Sequence, residues 1–223
     1  MALLLFDIDD TLIRNPISAY QTTMQNAFKQ VLGVEVPVDL SGYHGSTDRL
    51  IMRDILTKNH VSYDNQTLER CLQRFGELFP ENPIGLEVLP GVLKTIPELD
   101  RRYWLGLVTG NVETMARKKL RRFQVNRKTL SDYFPFGGFG SYPHEKRADL
   151  IALAINRSRR DNCCASLNQT YVIDDSERGM AAAKEAGVIP IGITTGNFLK
   201  EQLREAGAKY IIRNFSEISQ LPL

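Results

Sequence analysis

Short runs of apolar, β-forming residues recur along the chain, from Leu3 to Ile8, Trp104 to Val108, Tyr171 to Ile173, Ile189 to Ile193 and Tyr210 to Ile212. Each is followed by a stretch of helical periodicity. Runs without a polar face predict strands covered on both sides, and their alternation with helices predicts βαβ units in a parallel sheet. Between Ile8 and Trp104 no such run occurs, a gap far longer than one crossover helix needs. Inside the gap, Tyr20 to Leu32, Asp48 to Leu56 and Thr67 to Phe79 carry apolar residues at three- and four-residue spacing, as in Leu68, Cys71, Leu72, Phe75 and Phe79. Pro37 and the stretch Gly42 to Gly45 separate these predicted helices, while Pro80, Pro83, Gly85, Pro90 and Gly91 punctuate the return to the sheet. The pattern predicts an α/β core, a doubly wound Rossmann-like parallel sheet, from residues 1–14 and 89–223, with a helical domain inserted at residues 15–88.

Composition narrows the function classes without adding a positive signal. The 28 Lys and Arg against 26 Asp and Glu leave a formal charge of +2, too balanced for a protein that neutralises phosphates along a duplex, so no nucleic-acid partner is expected. Cys71, Cys163 and Cys164 have neither framework nor zinc-ligand spacing and imply a reducing, cytoplasmic setting. Asp7 interrupts the apolar N-terminus too early for a leader or a membrane span, so no membrane partner is expected either.

The chemistry is concentrated where the apolar runs end. In an open parallel sheet ligands gather beyond the carboxyl ends of the strands. Here those ends read Asp7-Ile8-Asp9-Asp10-Thr11, Thr109-Gly110-Asn111 and Asp174-Asp175-Ser176, which together bring five carboxylates to one edge. Converging carboxylates repel one another and call for protonation or a hard, oxygen-liganded cation, of which Mg²⁺ fits best. Asp7 and Asp9 alternate along an extended segment and can project to one side, one as nucleophile or ligand and the other as acid or base. Thr109 offers a hydroxyl, and Gly110 and Asn111 open a helical run whose free N–H groups suit an anion. The group reads as a phosphoryl site.

Asp7-Ile8-Asp9-Asp10-Thr11-Leu12 resembles the Asp-x-Asp-x-Thr signature of the haloacid dehalogenase superfamily, and Leu107-Val108-Thr109-Gly110-Asn111 resembles its second motif. Asp174-Asp175-Ser176, followed by Gly179, Ala182, Ala183, Ala186 and Gly187, is similar to its acidic fourth motif. The matches run in family order, and the helical insertion sits where the family carries its first type of cap. The resemblance implies that Asp7 attacks phosphorus to give an aspartyl-phosphate and that Asp9 serves as general acid and then general base. It implies Mg²⁺ held by Asp7, the Asp9 main-chain carbonyl, Asp175 and Asp174, with Thr109 and the amides near Asn111 binding the transferring group. At the third motif, where the family commonly has Lys followed by Pro, this chain has Lys146-Arg147. The surrounding segment resembles a phosphoglycolate-phosphatase-like subgroup that uses Arg there. Arg147 is favoured over Lys146 because a fixed fork can hold carboxylate and phosphate together, and both stay candidates.

The remaining residues receive plainer expectations. His44 lies in a cap segment where similar phosphatases carry substrate-facing loops, although a solvated loop histidine competes with that reading. Ser46 or Thr47 is expected to cap the next helix, with Asp48 favourable in its first turn. Arg49 and Arg53, like Lys118 through Arg122, are expected on solvated helix faces, and Gly137-Gly138-Phe139-Gly140 is expected to be a loop. The leading reading is a Mg²⁺-dependent phosphatase for a small phosphorylated metabolite. A sugar phosphomutase with the same cap is the alternative within the superfamily, and a phospho-acceptor signalling module is the alternative outside it.

Overall fold

The computed structural model describes residues 1–223 except Asn15, Tyr142, His144 and Glu145. The strands are β1 (Leu3–Phe6), β2 (Ile13–Arg14), β3 (Glu87–Val88), β4 (Trp104–Thr109), β5 (Gln124–Val125), β6 (Lys128–Thr129), β7 (Phe136–Phe139), β8 (Thr170–Asp174), β9 (Ile189–Ile193) and β10 (Tyr210–Ile212). The α-helices are α1 (Ile17–Leu32), α2 (Asp48–Lys58), α3 (Asn65–Leu78), α4 (Val92–Asp100), α5 (Glu113–Arg121), α6 (Arg147–Arg160), α7 (Glu177–Glu185) and α8 (Lys200–Glu205). None is long and apolar enough to cross a membrane.

Six strands form one parallel sheet in the order β10-β9-β8-β1-β4-β7. Successive side chains of a strand point to opposite faces, and β1 divides accordingly. Leu4 and Phe6 join a core on one face with Leu107, Ile173 and Phe215, while Leu3 and Leu5 join a core on the other with Val108, Val172 and Ile151. Both faces are covered, as continuous apolar runs predict. The doubly wound α/β architecture is therefore the one read from the pattern.

The sheet has a strand that the pattern did not predict. Phe136–Phe139, part of it expected to be a loop, pairs in parallel with β4 as the edge strand β7. Glycines ordinarily weaken a strand because they add no packing surface. Here a Cβ on Gly138 would fall 1.9 Å from the Leu150 carbonyl oxygen, so the missing side chain lets α6 approach the strand closely.

Between β2 and β3, α1, α2 and α3 bury a core of their own that includes Tyr20, Met24, Phe28, Ile51, Leu72 and Phe75. Val112 and Met115, at the start of α5, belong to this same cluster. The inserted helices thus share apolar contacts with the sheet region beside the carboxyl end of β4. The short antiparallel pair of β2 and β3 brings the chain out and back at adjacent points. The boundary expected at residue 15 falls on Asn15, outside the described residues.

Candidate active site

The site is built by strand register. Phe6 of β1 lies level with Leu107 of β4 on one side and Ile173 of β8 on the other. The residues following these strands therefore emerge at one edge of the sheet. The Asp7 N–H donates to the Ile173 carbonyl at 2.9 Å, which continues the ladder by one residue and fixes the Asp7 backbone. The chain then turns sharply. Asp10 adopts φ +56°, a left-handed value that an aspartate tolerates better than most side chains. The N–H groups of Leu12 and Ile13 both donate to the Ile8 carbonyl, at 2.9 and 3.1 Å. This turn leaves Asp7, Asp9 and Asp10 lining one cavity of about 410 Å³ together with Thr109, Gly110, Asn111, Arg147 and Asp175.

Asp7, Asp174 and Asp175 each present a carboxylate oxygen within 4.8 Å of the others, and all three are buried. Burial is the main force raising the Asp7 pKa above the ordinary carboxylate range, with the charges of Asp174 and Asp9 adding to it and Arg147 opposing it. Asp175 is pushed up well above that range, again by burial first and then by the charges of Asp174, Asp7 and Asp10. Such a site holds more negative charge than its own residues neutralise.

Arg147 is the cation that faces this group. As the first residue of α6 it is 8% exposed, and its Nη2 donates to Asp174 Oδ2 and lies 3.3 Å from Asp7 Oδ1. Burial disfavours its charge, but the carboxylates of Asp174 and Asp7 outweigh that cost and hold the guanidinium protonated. The other oxygen of Asp174 accepts from the N–H and hydroxyl of Ser176, at 2.8 and 2.6 Å. Lys146, by contrast, is exposed and lines a separate shallow depression beside Arg178.

A second buried cation was missed. Lys119, expected on a solvated helix face, has a side chain with no exposed surface, and its Nζ lies 2.8 Å from each of Asp9 Oδ1, Asp9 Oδ2 and Asn111 Oδ1. The rings of Phe79 and Tyr20 stand 5.4 and 5.7 Å from the ammonium, both within cation–π range. The signal was in the periodicity: Val112, Met115, Ala116, Lys119 and Leu120 share the buried side of α5, so Lys119 occupies an apolar position of the stripe. Reading Lys118 through Arg122 as one charged run hid it.

Helices α1 and α2 and the segment before α2 line the rest of the cavity. Thr47 caps α2, its hydroxyl accepting from the Leu50 N–H at 3.2 Å. Asp48 does more than favour the first turn: it is buried, its Oδ1 accepts from the Tyr20 hydroxyl at 2.5 Å, and its Oδ2 accepts from the Val112 N–H at 2.7 Å. Its own N–H donates to the Gly110 carbonyl at 2.8 Å. A residue of α2 thus satisfies backbone groups at the end of β4 and the start of α5. Burial raises the Asp48 pKa to about 7, against the lowering effect of the bonds from Tyr20 and Val112. Arg178 of α7 pins the same segment by donating to the His44 carbonyl at 3.2 Å and to the Ser46 hydroxyl. His44 itself is exposed and lines the cavity. Arg49, expected on a solvated face, is buried against Glu69 and Asn65, which makes it part of the packing between α2 and α3.

The family model described as haloacid dehalogenase-like hydrolase matches residues 4–193. The protein named Probable phosphatase IndB of Dickeya dadantii is 26% identical over 228 residues, covering 97% of this chain and 91% of its own length. A phosphoglycolate phosphatase of Pseudomonas syringae is 24% identical over 200 residues, covering 87% of this chain and 70% of its own. The fold is also that of a CbbY variant from Rhodobacter sphaeroides crystallised with xylulose-(1,5)-bisphosphate, with a TM-score of 0.74 at 20% identity and full coverage of both chains.

Proposed function

The chain belongs to the haloacid dehalogenase-like hydrolases, and from that membership we propose that it is a Mg²⁺-dependent phosphatase acting on a small phosphomonoester through an aspartyl-phosphate on Asp7. The observation that carries the reading is the presence of a second carboxylate, Asp9, on the wall that also holds Asp7 and Thr109. Plain displacement by one carboxylate needs no such partner, whereas release of an alkoxide needs a proton donor.

In this reading an Asp7 oxygen attacks phosphorus, the bond from phosphorus to the ester oxygen breaks, and Asp9 gives that oxygen its proton. Asp9 then takes a proton from water, the water oxygen attacks phosphorus, and the acyl-phosphate bond breaks to regenerate Asp7. Thr109, the amides near Asn111 and the Arg147 side supply donors to the phosphoryl oxygens, so much of the acceleration is positioning and charge. Lys119, which is not part of the cavity lining, holds the Asp9 side chain in place through contacts to its carboxyl group. The proposed cap is residues 15–88, set on a core of residues 1–14 and 89–223, and its closure over the bound substrate shields the site from bulk water.

The donor set suits a hard divalent cation, because the buried carboxylates of Asp7, Asp174 and Asp175 outnumber the one guanidinium that faces them. Asp7, Asp175 and the Asp9 main-chain carbonyl would hold Mg²⁺, with Asp174 adding charge while it anchors Arg147. Bound there, Mg²⁺ supplies neutralising charge for the phosphoryl oxygens and for its own ligands. Hydrolysis of p-nitrophenyl phosphate, followed with Mg²⁺ and with excess chelator, tests the proposal. Turnover that depends on Mg²⁺ and releases inorganic phosphate is expected. Undiminished turnover under chelator, or isomerisation of sugar phosphates without phosphate release, would overturn it.

A further inference from the structure

The walls of the cavity also bear on what the phosphate is attached to. Resting on the phosphatase reading above, we infer that the substrate is a phosphomonoester whose alcohol portion carries no second anionic group. The reacting end of the cavity is Asp7, Asp9, Thr109, Asn111, Arg147 and Asp175; the rest of its lining comes from α1, α2 and the segment before α2, chiefly Tyr20, Gln21, Asp39, Leu40, Tyr43 and His44. Among the described lining residues Arg147 is the one permanently charged cation, and its guanidinium is already turned to Asp174 and Asp7.

Among the described residues, the cations beside the cavity already hold partners, Arg14 included, whose Nη2 donates to the Thr195 carbonyl at 3.1 Å. Lys119 is sealed from solvent with its ammonium on Asp9 and Asn111. Lys58 bonds the outer edge of Tyr43 at 2.9 Å and is not part of the lining, and Arg178 is held on His44 and Ser46. A carboxylate or second phosphate on the substrate would instead approach Asp39, the exposed carboxylate of this wall. Removing such a group from water without a counter-charge is costly, and placing it beside that carboxylate adds repulsion. An uncharged polyol or similar portion meets no such barrier and finds hydroxyl, amide and aromatic partners. Unpaired like charge is a common way for a site to reject one ligand in favour of another. Ligands of relatives, a phosphoglycolate in one name and a bisphosphate in another, carry the second anionic group that these walls disfavour.

The test uses the full chain with Mg²⁺ and pairs of substrates that differ only in carboxylate against hydroxymethyl: 2-phosphoglycolate with 2-hydroxyethyl phosphate, and 3-phosphoglycerate with glycerol 3-phosphate. The uncharged member of each pair is expected to have the higher kcat/KM by about tenfold or more, and Asp39→Lys is expected to narrow the ratio by about threefold or more. Asp39 is exposed, so the substitution leaves the core untouched. Equal or better turnover of the carboxylate members, or a ratio unmoved by Asp39→Lys, would overturn the inference while hydrolysis of p-nitrophenyl phosphate leaves the phosphatase reading standing. Absence of Mg²⁺-dependent hydrolysis of p-nitrophenyl phosphate would instead remove that reading, and the inference with it.

Discussion

Replacing Lys119 by Met isolates what the buried ammonium does. Met fills a similar volume and keeps an apolar stem against Phe79 and Tyr20, so the loss is mainly electrostatic. Three 2.8 Å contacts vanish, two to Asp9 and one to Asn111. Removing one partner of a fully buried ion pair costs about 3–5 kcal/mol. The Asp9 side chain is 29% exposed, so water replaces part of what Lys119 supplied and about 2–3 kcal/mol of stability is the expected loss. The kinetic effect is selective. General acid catalysis is worth roughly 10²–10⁴-fold, and an acid displaced by about 1 Å forfeits on the order of 10²-fold. Lys119→Met should therefore lower kcat for an alkyl phosphate about 10- to 100-fold, and lower it much less for p-nitrophenyl phosphate, whose leaving group departs with little need of a proton. Steady-state kcat on both substrates, with urea denaturation to establish folding, provides the comparison. Equal losses on the two substrates in a folded variant would refute a positioning role, as would full activity on both.

Asp48 makes the stability of the Mg²⁺-free protein sensitive to pH. Its pKa is raised from 3.8 unfolded to about 7 folded, so between those values the folded state keeps a proton that the unfolded chain releases, and stability falls as pH rises. Asp48→Asn keeps an acceptor for the Val112 N–H and does not titrate; relative to the parent it should gain stability from pH 4 to pH 7, by at most about 4 kcal/mol. Urea denaturation at intervals across that range gives the difference, and a difference independent of pH would contradict the assignment. At Gly110 a Cβ would fall 2.1 Å from the Ser46 carbonyl oxygen, on the segment that Asp48 anchors to the core. Gly110→Ala should push this segment away and reduce kcat/KM by about tenfold or more, measurable by initial rates; parental kinetics would show that the close approach does not matter for turnover.

The sequence displayed the sheet and concealed one of its edges, for physical reasons. Strands β1, β4, β8 and β9 are buried on both faces and so read as continuous apolar runs. The same holds for the residues that end three of them, because a strand terminus fixes where Asp7, Thr109 and Asp174 emerge. Phe136–Phe139 escaped because two adjacent glycines, which let α6 pack closely, interrupt its apolar pattern, although Phe136 and Phe139 both join the core. Lys119, Asp48 and Arg49 escaped for a different reason. Each is a charged residue buried by partners distant in sequence, as with Lys119 and Asp9, Asp48 and Tyr20, and Arg49 and Glu69. Local pattern assigns charged residues to solvent, and only the tertiary arrangement supplies the counter-charge that makes their burial affordable.

The central claim is a covalent bond between Asp7 and phosphorus, and rapid-quench analysis with a ³²P-labelled phosphomonoester tests it most directly. Label should accumulate on the peptide containing Asp7 within one turnover, discharge at a rate no slower than kcat, and be absent from Asp7→Asn. Phosphate release at the full rate with no label on that peptide, or continued turnover by Asp7→Asn, would contradict the account.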